Sequence, residues 1–66
     1  MKILLNGRIS EEASGITLAG LMSKYGLIKE TTAAEINGSI IERGLVEKTV
    51  INEEDKVELI RFVGGD

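Results

Sequence analysis

The sixty-six residues hold 8 Lys and Arg against 11 Asp and Glu, with a net charge of −3 and neither His nor Cys. A chain this short is one domain near the lower limit for a lone hydrophobic core, since it buries only about 60% of its unfolded surface. Lack of Cys removes disulfides and thiolate metal sites, lack of His removes the commonest metal ligand and general base, and lack of a basic, aromatic-rich face argues against nucleic-acid binding.

The opening MKILLNGRIS predicts a hairpin. Ile3 and Leu5 alternate with Lys2 and Leu4, Asn6-Gly7 supplies a two-residue type I′ turn, and Arg8-Ile9-Ser10 begins the return strand. The polar, small run from Glu11 to Gly15 closes it, with Glu11 and Glu12 read as part of a solvated turn. Thr17 caps a helix whose stripe is Leu18, Leu21, Met22 and Tyr25, all read as core. Gly20 costs helix propensity, up to about 1 kcal/mol relative to Ala, and suggests close packing of a strand. Gly26 fits the C′ position, with Leu27 folding back in a Schellman-type end.

Ala33-Ala34-Glu35-Ile36, Asn37-Gly38 and Ser39-Ile40-Ile41-Glu42 form a second hairpin signal. Arg43-Gly44 breaks it, and Leu45 to Lys48 is open to a short edge strand or a helical turn. Thr49-Val50-Ile51 is apolar, and Asn52-Glu53-Glu54-Asp55 is a turn of solvated carboxylates, too short for a calcium loop. Lys56 to Val63 is the strongest strand signal in the chain.

One helix must cover one face of the sheet, because neither can bury its apolar side alone. The prediction is an α+β chain of β-grasp (ubiquitin-like) layout: a mixed four- to five-stranded sheet with one main helix packed on one face, and the last strand beside the first. Residues 1–63 form the domain and 64–66 a flexible C-terminal tail. Val57, Leu59 and Val63 then face the helix. Ile60 and Phe62 face the uncovered side as an apolar docking patch, with Arg61 beside them to pair with an acidic rim.

No constellation of nucleophile, acid and base is apparent, which argues against an independent enzyme. Chemistry falls instead to the backbone end. Glycines lack Cβ and thread narrow channels, so Gly64-Gly65 either lets a short tail reach about 13 Å into another protein's active site or is only a flexible end, and the pair alone does not choose between these.

Ala34-Glu35-Ile36-Asn37-Gly38, Arg43, Asp55-Lys56-Val57-Glu58-Leu59 and Val63-Gly64-Gly65, together with Met1 to Gly7 and Thr17-Leu18, resemble the ThiS/MoaD family of ubiquitin-like sulfur carriers, most closely ThiS. The likeness covers nearly the whole chain and agrees with the β-grasp pattern. It implies that an ATP-dependent enzyme of the ThiF/MoeB type adenylates the final glycine, here Gly65 with Gly64 as its flexible neighbour. Sulfur then converts that carboxyl to a thiocarboxylate, which supplies a thiazole synthase-like acceptor in thiamine synthesis.

The carrier itself binds no cofactor and no metal. Two departures stand out. Glu54-Asp55 replaces the family's Gly-Asp before the last strand, so the turn geometry is expected to differ. Asp66 follows Gly65 where the mature family form ends in Gly-Gly, which implies either trimming by a peptidase, as a JAMM-type metallopeptidase trims some ubiquitin-like carriers, or a variant that has lost transfer. Sulfur delivery to cysteine, methionine or molybdopterin synthesis, and a ubiquitin-like modifier or binding module, are the alternatives. No apolar run approaches a membrane span or signal peptide, so the expectation is a cytoplasmic protein, monomeric when free.

Overall fold

The computed structural model describes residues 1–62. The readings on Val63, Gly64, Gly65 and Asp66, and with them the tail boundary, lie outside the described residues.

Strand β1 (Lys2–Leu5) turns through Asn6-Gly7 into β2 (Arg8–Glu11). Helix α1 (Leu18–Lys24) follows, then β3 (Thr32–Ile36) and β4 (Ser39–Ile41) joined by Asn37-Gly38, and finally β5 (Lys56–Arg61). Short 3-10 turns occupy Lys29–Thr31 and Arg43–Leu45. The second resolves the open segment after Arg43 in favour of a helical turn, beginning two residues earlier than Leu45. The strands form one five-stranded sheet in the order β2-β1-β5-β3-β4. β1 runs parallel to β5, and the other neighbours are antiparallel. This is the predicted β-grasp layout, with the last strand at the centre beside the first.

Both hairpins use the expected turn chemistry. Asn6 and Gly7 have φ of 49° and 83°, and Asn37 and Gly38 have 53° and 86°, as a type I′ turn requires. Thr17 Oγ1 accepts the Gly20 N–H at 3.0 Å and caps α1. At the other end the Leu27 N–H reaches Met22 O at 2.8 Å and the Gly26 N–H reaches Ser23 O at 3.0 Å, with Gly26 at φ 72°. That is the Schellman pair anticipated from Gly26-Leu27.

Leu18, Leu21 and Met22 are buried beneath the sheet face that carries Ile3, Ala34, Val57 and Leu59, and Val46 and Ile51 complete the core. Each of these Leu, Ile, Val and Met side chains contributes about 1.5–3 kcal/mol by leaving water, and Ala34 less.

Three local expectations change. Tyr25 is not core: it is 48% exposed, because it is the C-cap residue and the helix ends beneath it. Gly20 admits no strand. A Cβ there would meet Ile16 Cγ1 at 3.2 Å and Thr17 Oγ1 at 3.3 Å, so its smallness serves the capping turn. Glu12 is not in a solvated turn but 5% exposed, as described below.

In the turn before β5, Glu54 sits at φ 68° and its N–H donates to Lys2 O at 2.7 Å, so this position takes the left-handed conformation that glycine prefers without having glycine there.

The central strand is held by a device that the sequence reading missed. Beyond the last β1–β5 backbone pairs, the Asn6 side chain takes over: Oδ1 accepts the Leu59 N–H at 2.8 Å and Nδ2 donates to Leu59 O at 3.2 Å. The primary amide thus imitates one more residue of β1. On the other side Asn37 Oδ1 accepts the Lys56 N–H at 2.9 Å, while its Nδ2 donates to Asp55 Oδ1 at 2.9 Å. Asp55 Oδ2 also accepts the Asn52 N–H at 2.8 Å. Each Asn-Gly turn therefore also grips β5.

Candidate functional site

The described end of β5 is the candidate site, because the residues predicted to carry chemistry follow it directly. Pairing with β3 runs to Arg61, opposite Thr32, and the Phe62 N–H donates to Thr31 O at 2.9 Å. Two faces meet there. Alternation puts Val57, Leu59 and Arg61 on the helix side and Glu58 and Ile60 on the open side, with Phe62 continuing the alternation.

Ile60 is 57% exposed and Phe62 42% exposed. Ile60 lies directly opposite Ala33 in the ladder. Ile9 and Ile40, each paired with an open-face partner (Leu4 and Glu35), are exposed on the same side. The result is a scattered apolar face with Glu35 and Glu58 directly opposed at its middle.

Arg61 departs from its expected place. It does not flank Ile60 and Phe62 but turns to the helix side, because adjacent residues of a strand point to opposite faces. There it lines a hollow of about 440 Å³ with Leu5, Arg8, Tyr25, Leu27 and Leu59. Asn6, whose amide is already engaged by Leu59, completes the rim.

A buried carboxylate anchors the base of this region. Glu12 receives Lys24 Nζ at 2.7 Å on Oε1, and Ser10 Oγ at 2.6 Å and Tyr25 Oη at 3.2 Å on Oε2. The Lys24 hydrogen bond, reinforced by that from Ser10, holds the Glu12 carboxyl below its ordinary range despite burial. The same contact raises the Lys24 pKa. Glu12 also exchanges backbone bonds with Met1: its N–H reaches Met1 O at 2.8 Å and its carbonyl accepts the N-terminal ammonium at 2.7 Å. The network ties the chain start and β2 to the end of α1. Its only sequence signal was Glu12 at the end of an alternating strand, which reads equally as a surface residue.

Among the described residues no group of three or more His, Cys, Asp or Glu is placed to hold a metal, and no helix is long and apolar enough to cross a membrane. What the described residues present is a firmly held strand end between an apolar face and a cationic hollow.

Comparison with known proteins agrees with this geometry. Residues 3–65 match the family model described as the ThiS family. The crystal structure of the thiamine biosynthesis protein (ThiS) from Geobacter metallireducens superposes with a TM-score of 0.84 at 29% identity, over 100% of both chains. A thiazole synthase of Magnetococcus marinus is 38% identical over 65 residues, which are 98% of this chain and 20% of that protein. The ycf40 protein of Porphyra purpurea is 34% identical over 98% of this chain and 92% of its own length. The chain thus spans about a fifth of the thiazole synthase it matches and nearly all of ycf40.

Proposed function

The chain belongs to the ThiS family, and from that membership we propose that it is a sulfur carrier of thiamine biosynthesis, a protein co-substrate rather than an enzyme. The reacting atom is the carboxyl carbon of Gly65. While Asp66 is joined to it, Gly65 carries an amide, which is no nucleophile toward ATP. Hydrolysis of the Gly65–Asp66 bond by a metallopeptidase of the JAMM type frees the carboxylate.

A carboxylate oxygen then attacks the α-phosphorus of ATP within a ThiF/MoeB-like adenylating enzyme, and pyrophosphate leaves. Sulfide attacks the acyl-adenylate carbon, and AMP leaves, giving the thiocarboxylate. That group passes its sulfur to a thiazole synthase-like acceptor. The described domain contributes the grip: Ile60 and Phe62 dock on the activating enzyme while Gly64 and Gly65 reach its active site.

The observation that carries this reading is the 38% identity of nearly the whole chain to a segment of a protein named thiazole synthase. Carrier and acceptor joined in one polypeptide hold each other at high effective concentration.

The test is to incubate protein ending at Gly65 with ATP, the adenylating enzyme and sulfide, and to weigh it. Exchange of one oxygen for sulfur is expected. Attachment to lysines of other proteins instead marks a modifier and overturns the reading. Mass spectrometry of the protein from its native host is expected to show chains ending at Gly65. Retention of Asp66 on every working molecule excludes sulfur transfer through Gly65.

A further inference from the structure

We propose that the helix-side hollow at the end of β5 is a second docking element, which receives an acidic segment of the adenylating enzyme through Arg8 and Arg61. The inference rests on the carrier reading above and names a contact on the face opposite Ile60 and Phe62.

The charge distribution is the first ground. Acidic residues outnumber basic ones in the chain, 11 to 8, yet among the described residues the hollow is lined by Arg8 and Arg61 and by no carboxylate. The described ion pairs engage Lys24 with Glu12 and Lys29 with Glu47. Neither arginine has a carboxylate partner among the described residues. They arrive from two strands, Arg8 from the start of β2 and Arg61 from the end of β5, and each guanidinium can hold a carboxylate of an acidic segment by paired N–H bonds.

The floor is the second ground. Leu5, Leu27 and Leu59 make it apolar, and competing polar groups are already satisfied. The Asn6 amide is held by Leu59, and the Tyr25 hydroxyl donates to Glu12. The matching ligand is an Asp or Glu with an apolar neighbour, which is a peptide feature rather than a bare anion. In the ladder opposite Arg61, the buried Thr32 hydroxyl has no hydrogen-bond partner among the described residues, which adds an unused polar group at this end.

Position is the third. Arg61 immediately precedes Phe62, whose N–H donates to Thr31 O. An enzyme that takes up the following residues must surround this point. It meets apolar side chains on one face and cationic ones on the other, and contacts on both faces fix the strand's roll as well as its position.

The experiment measures association of the chain with the purified adenylating enzyme, over a range of salt, for the parent and for Arg8→Gln, Arg61→Gln and Arg43→Gln. Arg43 is exposed and lies outside the hollow. The expected result is a two- to fivefold loss of affinity for each hollow arginine, roughly what exposed ion pairs supply, with a shallower salt dependence and no change for Arg43→Gln. Arg8→Lys should recover part of the loss.

Parent-like affinity and salt dependence in Arg8→Gln overturn the proposal and leave the carrier reading standing. Equal losses in Arg43→Gln overturn it too, since they show a diffuse charge effect. Saturable perturbation of Arg8 and Arg61 NMR signals by inorganic phosphate or ATP alone would make the hollow a small-anion site. Failure of the parent to bind the enzyme at all sinks both readings together.

Discussion

Replacing Glu54 with glycine should make the protein more stable. Glu54 is held at φ 68°, where its Cβ crowds the backbone at a cost of about 1–2 kcal/mol. Its side chain is exposed, and the bond that matters, N–H to Lys2 O, belongs to the backbone and survives the change. Against the relief stands the greater freedom of glycine in the unfolded chain, about 0.5–1 kcal/mol. The net gain is about 0.5–1 kcal/mol, which for a domain of this size raises Tm by about 2–8 °C.

Urea unfolding followed by circular dichroism should show a higher midpoint at unchanged slope, because the surface exposed on unfolding is the same. Glu54→Ala is the control, since it removes the same carboxylate but keeps the Cβ and its strain. Equal stability of Glu54→Gly and Glu54→Ala would refute the argument, for the effect would then come from charge and not from backbone conformation.

Three further outcomes follow from the same structure. Asn6→Gly keeps a turn-compatible residue but deletes both bonds to Leu59, and should cost about 1–2 kcal/mol in chemical denaturation, with the Leu59 amide losing protection from hydrogen exchange.

Glu12→Gln should cost about 1–3 kcal/mol at neutral pH by removing the charged acceptor of Lys24. Because the Glu12 pKa is lowered from an ordinary 4.5, its contribution is complete above that value and is lost as pH falls through the folded-state pKa. The gap between parent and variant should therefore close in acid, and a gap that is constant from pH 7 to pH 3 would contradict the assignment.

Phe62→Ala should weaken binding to the adenylating enzyme while leaving the circular dichroism spectrum unchanged, since Phe62 is partly exposed and lies outside the buried core cluster. Loss of the fold in that variant would place the ring in the core instead.

Much of the architecture was legible because local chemistry and global pattern agree. Asn-Gly between alternating runs specifies a hairpin at Asn6 and again at Asn37. Thr17 and Gly26 bracket the helix, and the run from Lys56 alternates clearly enough to place Val57 and Leu59 inside. The failures share another cause. Tyr25 has helical spacing with Leu18, but spacing carries no information about where the helix runs out of sheet to cover. Glu12 is polar and follows a polar neighbour, and only the convergence of Ser10, Lys24 and Tyr25 makes its burial tolerable.

At Glu54 the sequence signalled only a departure from Gly-Asp, and the Lys2 carbonyl and the Asp55 side chain that hold this turn come from outside that dipeptide or from its second residue. Of the candidate site, the exposure of Ile60 and Phe62 could be read from alternation, whereas the hollow that Arg8 and Arg61 share is lined from opposite ends of the chain, which the parallel β1–β5 contact brings to one side of the sheet.

The grip of two asparagine side chains on β5 has a mechanical consequence. An enzyme that draws a peptide end into a narrow channel exerts traction along that peptide. Here the traction would run along a middle strand clamped by β1 and Asn6 on one flank and by β3 and Asn37 on the other. A load in that direction shears many hydrogen bonds at once and does not peel them one by one. A domain so built withstands repeated pulling, catch and release, without β5 coming away.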